Sequence, residues 1–493
     1  MTTDTRGIDN VLAGADEATH SMAAASPGDR AKWLAAAADA LDAAADELVL
    51  IAMRESHLAE QRLRGEVARS SGQMRMFADA LHDAAPLELV IDTSDSEALP
   101  VPRPDLRRML LPVGPVLVFA AGNFPFAFSV GGGDTASALA AGCPVVVKAH
   151  PGHPETSKRT AQVLAEALEA AGAPQGALGV ITGFDAGVEA LKNRRIKAAA
   201  FTGSVAGGVA LHEVAATRPD PIPFYGELGS INPVLVTEAA ARARGAAIAE
   251  GFVTSFTLGV GQFCTKPGLL FLPVGHWLDD ALMAAQHASA ATMLQPSTQE
   301  AFSQGVERLS KVEGVEVMLG GPDATSRSNP DQVTPTLLRT SAQNLLSNAD
   351  TLLDECFGPL SIVVEYDDPS QFEQTLRVLG ASLTVTLHSE DEDQRWLEGL
   401  VTVVGERVGR IVWNGWPTGV AVAWAMQHGG PFPATVGSLH TSVGVTAIRR
   451  FLRPLCYQDS PDALLPLALQ DANPLSLERR VNGRLTRDAV NRT

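Results

Sequence analysis

The sequence predicts an α/β protein with two parallel-sheet regions and one extended element. Three observations lead there. From Val113 short apolar runs alternate with helical segments, and a second alternation runs from Gly268 to about Val412. Between them in character, 87–111 holds short β-like stretches broken by Pro100, Pro102 and Pro104. Strands apolar on both faces belong in a parallel sheet covered by helices on either side. Ligands of such sheets bind beyond the carboxyl ends of the strands, so the residues just after each strand should carry the chemistry. A length of 493 residues suits two or three domains.

The elements follow in order. Ser26 caps and Pro27 opens a single long helix over 26–58, with Trp33, Leu34, Ala37, Leu41, Leu48 and Ile51 at helical spacing. The proline-broken stretch before Leu111 reads as a protruding hairpin. Strands are expected at 116–120, 145–148, 178–181 and 198–201. Helices are expected at 134–141, at 157–171 with Gly172 as its stop, near 186–192, and from 205. In the second region strands fall near 269–272, 361–364 and 411–413. The tail after Phe451 is rich in Leu, Pro and charge.

Composition excludes several classes. A net charge of -18, from 56 acidic against 38 basic side chains, repels phosphate backbones, so no nucleic acid partner is expected. Every apolar run falls far short of the roughly 20 residues that span a bilayer, so no membrane partner is expected. No charged-then-apolar leader opens the chain, which makes the expected compartment cytoplasmic. The four cysteines, Cys143, Cys264, Cys356 and Cys456, form no CxxC pair. That spacing offers neither a zinc ribbon nor a disulfide framework, and no metal is expected.

Five segments carry candidate chemistry. Cys264 lies in Gly261-Gln262-Phe263-Cys264-Thr265-Lys266-Pro267-Gly268, where flanking glycines allow close backbone approach to a ligand. Taken alone it reads equally as a small packing residue or as a thiolate nucleophile. Glu227, in Tyr225-Gly226-Glu227-Leu228-Gly229-Ser230, is a solvated strand end or, if burial raises its pKa, a base that activates water. Asn123, in Ala121-Gly122-Asn123-Phe124-Pro125-Phe126, is a turn former or an oxyanion donor. Phe201-Thr202-Gly203-Ser204-Val205 is a strand, a glycine turn and a helix start, whose N–H groups can meet a pyrophosphate. It is not GxGxxG, and alone it is weak. Lys148, in Val146-Val147-Lys148-Ala149-His150-Pro151, either snorkels at the surface or reaches a ribose or phosphate.

Together, in this order, the segments around Asn123, Lys148, Glu227 and Cys264 resemble those of the aldehyde dehydrogenase superfamily. Asp354-Glu355-Cys356-Phe357-Gly358-Pro359 resembles its Glu-Phe-Gly-Pro motif, and Trp413-Asn414-Gly415-Trp416-Pro417-Thr418-Gly419 falls where that family lines its substrate pocket. The resemblance runs from about Ser26 to Arg453. Ser230, where most of the superfamily has a second glycine, and His428-Gly429-Gly430-Pro431-Phe432-Pro433-Ala434-Thr435 look most like the branch of 2-oxoglutarate semialdehyde (2,5-dioxovalerate) dehydrogenases, with an NADP-dependent fatty-aldehyde relative nearby.

The resemblance implies an aldehyde dehydrogenase-like fold: a Rossmann-type cofactor domain (1–94 and 113–226), an α/β catalytic domain (227–435), and an oligomerisation hairpin with a C-terminal tail (95–112 and 436–493). It implies a homodimer or homotetramer. It makes Cys264 the nucleophile, Asn123 and the Cys264 N–H the oxyanion donors, and Glu227 the base that hydrolyses a thioester. Lys148, Gly203 and Ser204 would hold the adenine half of the cofactor, and Glu355 with Phe357 the nicotinamide half. Many NAD-preferring members carry a glutamate three residues after the lysine; here Pro151 stands there, so NADP is the expected cofactor over NAD, with His150 a possible helper to Lys148. Phe124, Phe128, Phe263, Thr265 and Trp413 would line the pocket for a small-molecule aldehyde, the other aromatics Trp416 and Phe432 nearby. A medium- or long-chain aliphatic aldehyde is the alternative substrate. A cofactor-free thiol esterase or hydrolase is the alternative of another class, weakened by the lack of an assignable partner histidine.

Overall fold

The computed structural model describes residues 2–82, 85–322 and 332–490. Near the amino end, the helix expected as one piece is two. Ser26 and Asp29 form a reciprocal cap on α2 (Pro27–Ala43), following α1 (Thr5–Ala24). Ala44 then leaves helical geometry (φ -91°, ψ 2°) and α3 (Ala45–Ser56) begins. The alanine-rich run carries no local break signal; packing sets the break, because α2 and α3 both lie on α4 (Glu60–His82) and on α6 (Pro154–Ala170). Tertiary contact outweighs propensity here. Helix α6 starts at Pro154, where proline suits the first turn, rather than at 157.

The first sheet has the order β15-β7-β6-β3-β4-β5, from β3 (Val116–Phe119), β4 (Val145–Ala149), β5 (Leu178–Thr182), β6 (Ala198–Thr202), β7 (Phe224–Glu227) and β15 (Thr435–Val436). Its strands pair in parallel except β15, which runs against β7 with Thr435 opposite Glu227. The β3 and β4 side chains are buried throughout, which is why they read as unbroken apolar runs. Helices α5 (Gly133–Ala141), α7 (Phe184–Lys192) and α8 (Val205–Thr217) complete the connections.

The second sheet, β10-β11-β12-β9-β8-β13-β14, comprises β8 (Val234–Val236), β9 (Leu269–Pro273), β10 (Glu316–Leu319), β11 (Thr336–Ser341), β12 (Leu360–Tyr366), β13 (Thr384–His388) and β14 (Arg410–Trp413). Only β10 is antiparallel to its neighbour among these strands. Helix α9 (Glu238–Thr257) covers it and delivers the chain to Cys264.

The hairpin reading before Leu111 holds: β1 (Val90–Asp92) and β2 (Leu106–Pro112) pair antiparallel. They belong to a third sheet, β16-β2-β1-β17-β18, with β16 (Leu452–Gln458), β17 (Arg479–Val481) and β18 (Arg484–Thr486) from the tail. Arg107 is wholly buried and fastens hairpin to tail, donating to Asp105 (2.8 Å), Asp471 (2.6 Å) and the Leu469 carbonyl (2.6 Å). Among the described residues, no helix is long and apolar enough to cross a membrane.

Candidate active site

The Cys264 loop is set by backbone conformation. After α9, Gly259, Val260 and Gly261 all take left-handed φ (56°, 60° and 64°). A Cβ on Gly261 would stand 2.4 Å from the Gly358 carbonyl carbon, so only glycine fits there. Asn232, itself at φ 54°, is the knot beneath the loop. Its amide donates to the carbonyls of Cys264 (2.8 Å) and Lys266 (3.0 Å), and its oxygen accepts from the Ser230 hydroxyl (2.7 Å) and the Thr384 N–H (3.2 Å). Ser230 Oγ in turn accepts from the Leu383 N–H (2.8 Å), a contact that a glycine at 230 would lack. Buried Lys266 donates to the carbonyls of Cys356 (3.1 Å) and Leu360 (2.6 Å), pinning the 355–360 turn to the same loop.

Three side chains from distant segments meet. His428 Nε2 stands 3.4 Å from Cys264 Sγ and 2.7 Å from Glu227 Oε1, and both His428 and Glu227 are buried. Glu227 Oε1 lies off the hydrogen-bonding axis of the ring nitrogen, which is aimed at the sulphur. The Ser442 hydroxyl donates to Glu227 Oε2. Burial pushes the Glu227 carboxyl upward, but His428, Ser442 and Cys264 outweigh it and hold the carboxyl below its usual range. That corrects the expectation of a base raised by burial. Burial pushes the Cys264 thiol well above its usual value, and the Glu227 charge adds to the effect. The donor atoms of Glu227, Cys264 and His428 lie within 4.8 Å of one another, a set able to hold a thiophilic divalent ion. Cysteine spacing could not reveal it, since each ligand comes from a different segment.

Asn123 lies beside this cluster. Its amide donates to the Gln262 carbonyl (2.9 Å), two residues before Cys264, and its second N–H has no partner among the described residues. Phe124 packs edge-on against Phe128 (5.2 Å between centroids) and Phe263 (5.3 Å), and Phe128 lies 6.3 Å from the His428 ring. These three aromatics form one wall; Thr265 is buried. Trp413 is not brought in. It ends β14 half-exposed, opposite Leu387, and no described contact joins it to the cluster. Its neighbour Trp416 packs away, on Phe252 (5.9 Å) and His388 (4.8 Å). Phe432 is 64% exposed.

On the other side, Lys148 is buried at the carboxyl end of β4, its stem against Gly187, and its ammonium has no partner among the described residues. Pro151 is exposed on the turn that follows. His150 is turned to packing: Nδ1 accepts from the Gly152 N–H (3.1 Å), the ring lies against Gly122, and burial pushes its pKa down to about 3, with help from His153 and Lys148. As a neutral imidazole it could help Lys148 only through a hydrogen bond from Nε2 and not through charge. The Gly203 N–H is likewise spent, on the Glu227 carbonyl (3.0 Å), rather than free for a pyrophosphate. Ser204 caps α8 through the Gly207 N–H, leaving the Val205 and Ala206 amides open at that helix end. Glu355 sits against Gly229, where a Cβ would stand 1.9 Å from its carboxylate, and burial raises it to about 7 against the pull of Lys266. Phe357 is half-buried in the same turn.

Ser442, Asn232 and Lys266 were missed from the sequence, and His428 was noticed only as part of a resembling segment. The case against a hydrolase on the ground of a missing histidine therefore fails, since His428 touches the thiol. The buried, unpartnered Lys148 and the open α8 amides, which a hydrolase does not need, weigh against it instead.

Residues 2–448 match the Aldehyde dehydrogenase family. The chain is 42% identical to the alpha-ketoglutaric semialdehyde dehydrogenase of Acinetobacter baylyi, over 93% of this chain and 88% of that one. It is 44% identical to alpha-ketoglutaric semialdehyde dehydrogenase 2 of Azospirillum brasilense, over 92% and 87%. In fold it resembles 1-pyrroline-5-carboxylate dehydrogenase from Thermus, with a TM-score of 0.77 at 21% identity over 92% of this chain and 86% of that one.

Proposed function

This chain belongs to the aldehyde dehydrogenase family, an oxidoreductase acting on aldehydes with NAD or NADP, and within it we propose that it oxidises 2-oxoglutarate semialdehyde (2,5-dioxovalerate) to 2-oxoglutarate with NADP preferred. The observation that carries the substrate is the identity of 42% and 44% to two proteins named for it, over more than nine-tenths of the chain.

The side chains support a covalent route. A thiol held above its usual range is a poor standing thiolate, so its proton must leave as the sulphur attacks. His428 Nε2, 3.4 Å away, receives that proton, and Glu227 Oε1 stands 2.7 Å from the same nitrogen, where it steadies the cation that forms. Cys264 Sγ bonds to the aldehyde carbon, and the oxyanion takes the spare Asn123 amide hydrogen and the Cys264 N–H. A bound dinucleotide would supply the two-electron oxidation, as a hydride acceptor, and the carbon held on Cys264 would then be a thioester. Glu227 then draws a proton from water, whose oxygen displaces the sulphur and yields the carboxylate.

The cofactor fits the residues opposite. Lys148 is a cation without a counter-charge, and Pro151 places no carboxylate where it would repel a 2′-phosphate. The α8 amino end suits the pyrophosphate, and Glu355, beside Gly229, suits the nicotinamide ribose. The cofactor domain (1–94 and 113–226), the catalytic domain (227–435) and the bridging hairpin and tail remain our division of the chain. Strand β16 is an edge strand of the third sheet, and pairing there with a second copy would give the homodimer, or the homotetramer built from two of them. Light scattering at micromolar concentration tests this: a monomer removes it.

The substrate is tested by reduced nicotinamide formation at saturating NADP, comparing the semialdehyde with a series of aliphatic aldehydes. The semialdehyde is expected to have the highest kcat/KM. A maximum at long aliphatic aldehydes would replace this reading with the fatty-aldehyde one.

A further inference from the structure

The aromatic wall beside Cys264 is closed by one face of α4, which carries Arg62, Glu66, Arg69 and Gln73 at helical spacing. The two arginines differ in what they already hold. Arg62 lies over Phe124 (5.0 Å) and Phe263 (4.6 Å), with Nε on Glu66 (3.2 Å) and Nη2 on the Asn123 carbonyl (2.6 Å). Its charge is answered by Glu66.

Arg69 has no such answer. It lies 5.8 Å over the Phe128 ring, and its only described hydrogen bond runs from Nη1 to the Val420 carbonyl (2.6 Å). Nε is buried without an acceptor, and no carboxylate pairs with it among the described residues. The guanidinium thus leaves its Nε–Nη2 edge without a hydrogen bond among the described residues, the edge that grips a carboxylate with two parallel bonds. Arg410 gives the contrast. It too is near enough to Cys264 to feel its charge and has a buried Nε without an acceptor, but each of its terminal nitrogens already donates, to the carbonyls of Pro417 (2.6 Å) and Gly419 (3.2 Å), whereas Arg69 Nη2 donates to nothing among the described residues.

Arginine stays protonated even when burial lowers its pKa, as it does for Arg69. An uncompensated cation out of bulk water is costly until an anion meets it. Cys264 and Glu227 both sense its charge, so the gap in the ion pairing falls within the same site. The lone candidates for filling it from the protein are engaged elsewhere: Glu66 with Arg62, and Glu227 with His428 and Ser442.

We infer that Arg69 is a carboxylate-binding subsite that holds the end of the substrate remote from the aldehyde. This deepens, and rests on, the reading of the substrate as a semialdehyde bearing a carboxylate. Phe124, Phe128 and Phe263 then enclose the carbon chain between the two ends, and an uncharged aldehyde leaves the guanidinium unmatched.

The test compares wild type with Arg69→Gln, which keeps a donor for the Val420 carbonyl, and with Arg69→Lys. The substrates are 2-oxoglutarate semialdehyde and pentanal, an uncharged aldehyde of equal chain length. The ratio of kcat/KM for the two should fall roughly 10- to 100-fold in Arg69→Gln, chiefly through KM, and recover only in part in Arg69→Lys, which has charge but no fork. Inhibition by the product 2-oxoglutarate should weaken by a similar factor. If wild type prefers the semialdehyde and Arg69→Gln keeps that preference, the subsite is wrong while the substrate stands. If both substrates fall together and the pH profile of Cys264 alkylation moves, Arg69 serves the thiolate instead and the inference is overturned. If wild type does not prefer the semialdehyde over pentanal, the substrate reading fails and takes the subsite with it.

Discussion

Glu227 Oε1 and His428 Nε2 meet at 2.7 Å, one from the end of a central strand and the other from a returning loop that also supplies β15. Through this contact the Cys264 thiol faces an acid–base pair rather than a lone carboxylate. The thiol is raised by burial first and by the Glu227 charge second, so neutralising Glu227 must lower it. Iodoacetamide alkylation of Cys264 in Glu227→Gln should therefore reach half-maximum at a lower pH than in wild type. A shift to higher pH would mean that Glu227 stabilises the thiolate.

His428→Gln should slow the first, burst turnover by roughly 100-fold while leaving the dissociation constant of NADP near wild type. Stopped-flow absorbance of the reduced cofactor measures it. An undiminished burst would take His428 out of thiol deprotonation.

Glu355 supplies a pH signature. Its carboxyl is raised from 4.5 to about 7, so the folded state holds the proton more tightly than the unfolded one. A raised pKa stabilises below the unfolded value and loses that contribution as pH rises through the folded one. In cofactor-free protein at pH 8, Glu355→Gln should thus be more stable than wild type by about 2 kcal/mol, allowing for its partial exposure, and the gap should close toward pH 4.5. Urea unfolding at the two pH values checks this; a gap that widens on acidification would contradict it.

Asn232→Ala removes the knot under the Cys264 loop and leaves buried partners unsatisfied. A loss of roughly 2 to 4 kcal/mol in unfolding free energy is expected, together with a fall in kcat. Denaturant titration and turnover would show it, and an unaltered midpoint would mean that the loop is held by Lys266 alone.

Strands β3 and β4 were legible because both their faces are buried and their runs are apolar but for Lys148, and β5 and β6 because short apolar runs alternate with helices. Cys264, Glu227, Asn123 and Lys148 could be singled out as candidates because each stands just beyond, or at, a strand or helix end within a glycine-rich segment. What escaped was whatever depends on two distant segments meeting. His428 and Ser442 reach Glu227 only because β15 pairs with β7, and a two-residue strand leaves no periodicity to read. The commitment of the Gly203 N–H to Glu227, and of His150 to Gly122 and Gly152, are likewise facts of packing. Arg69 looks like any helix-surface arginine until Phe128 and Val420 are seen against it. Trp413 was chosen by resemblance of its segment, and it ends β14 half-exposed.

The proposed preference for NADP rests on the turn after β4. Pro151→Glu should lower the NADP-over-NAD preference roughly tenfold or more, since a carboxylate there repels the 2′-phosphate and accepts from the ribose hydroxyls. Lys148→Ala should weaken NADP more than NAD. Dissociation constants for both cofactors, by quenching of protein fluorescence, decide it; a wild type that already prefers NAD would contradict the assignment.

The covalent route has one direct test. Glu227→Gln, mixed with 2-oxoglutarate semialdehyde and NADP, quenched in acid and examined by intact and peptide mass spectrometry, should carry a single acyl group on the Cys264 peptide, accompanied by one equivalent of reduced cofactor and then a stall. An enzyme that turns over without accumulating the adduct, or that carries it on another residue, would contradict the assignment of Cys264 as nucleophile and Glu227 as the base that frees it.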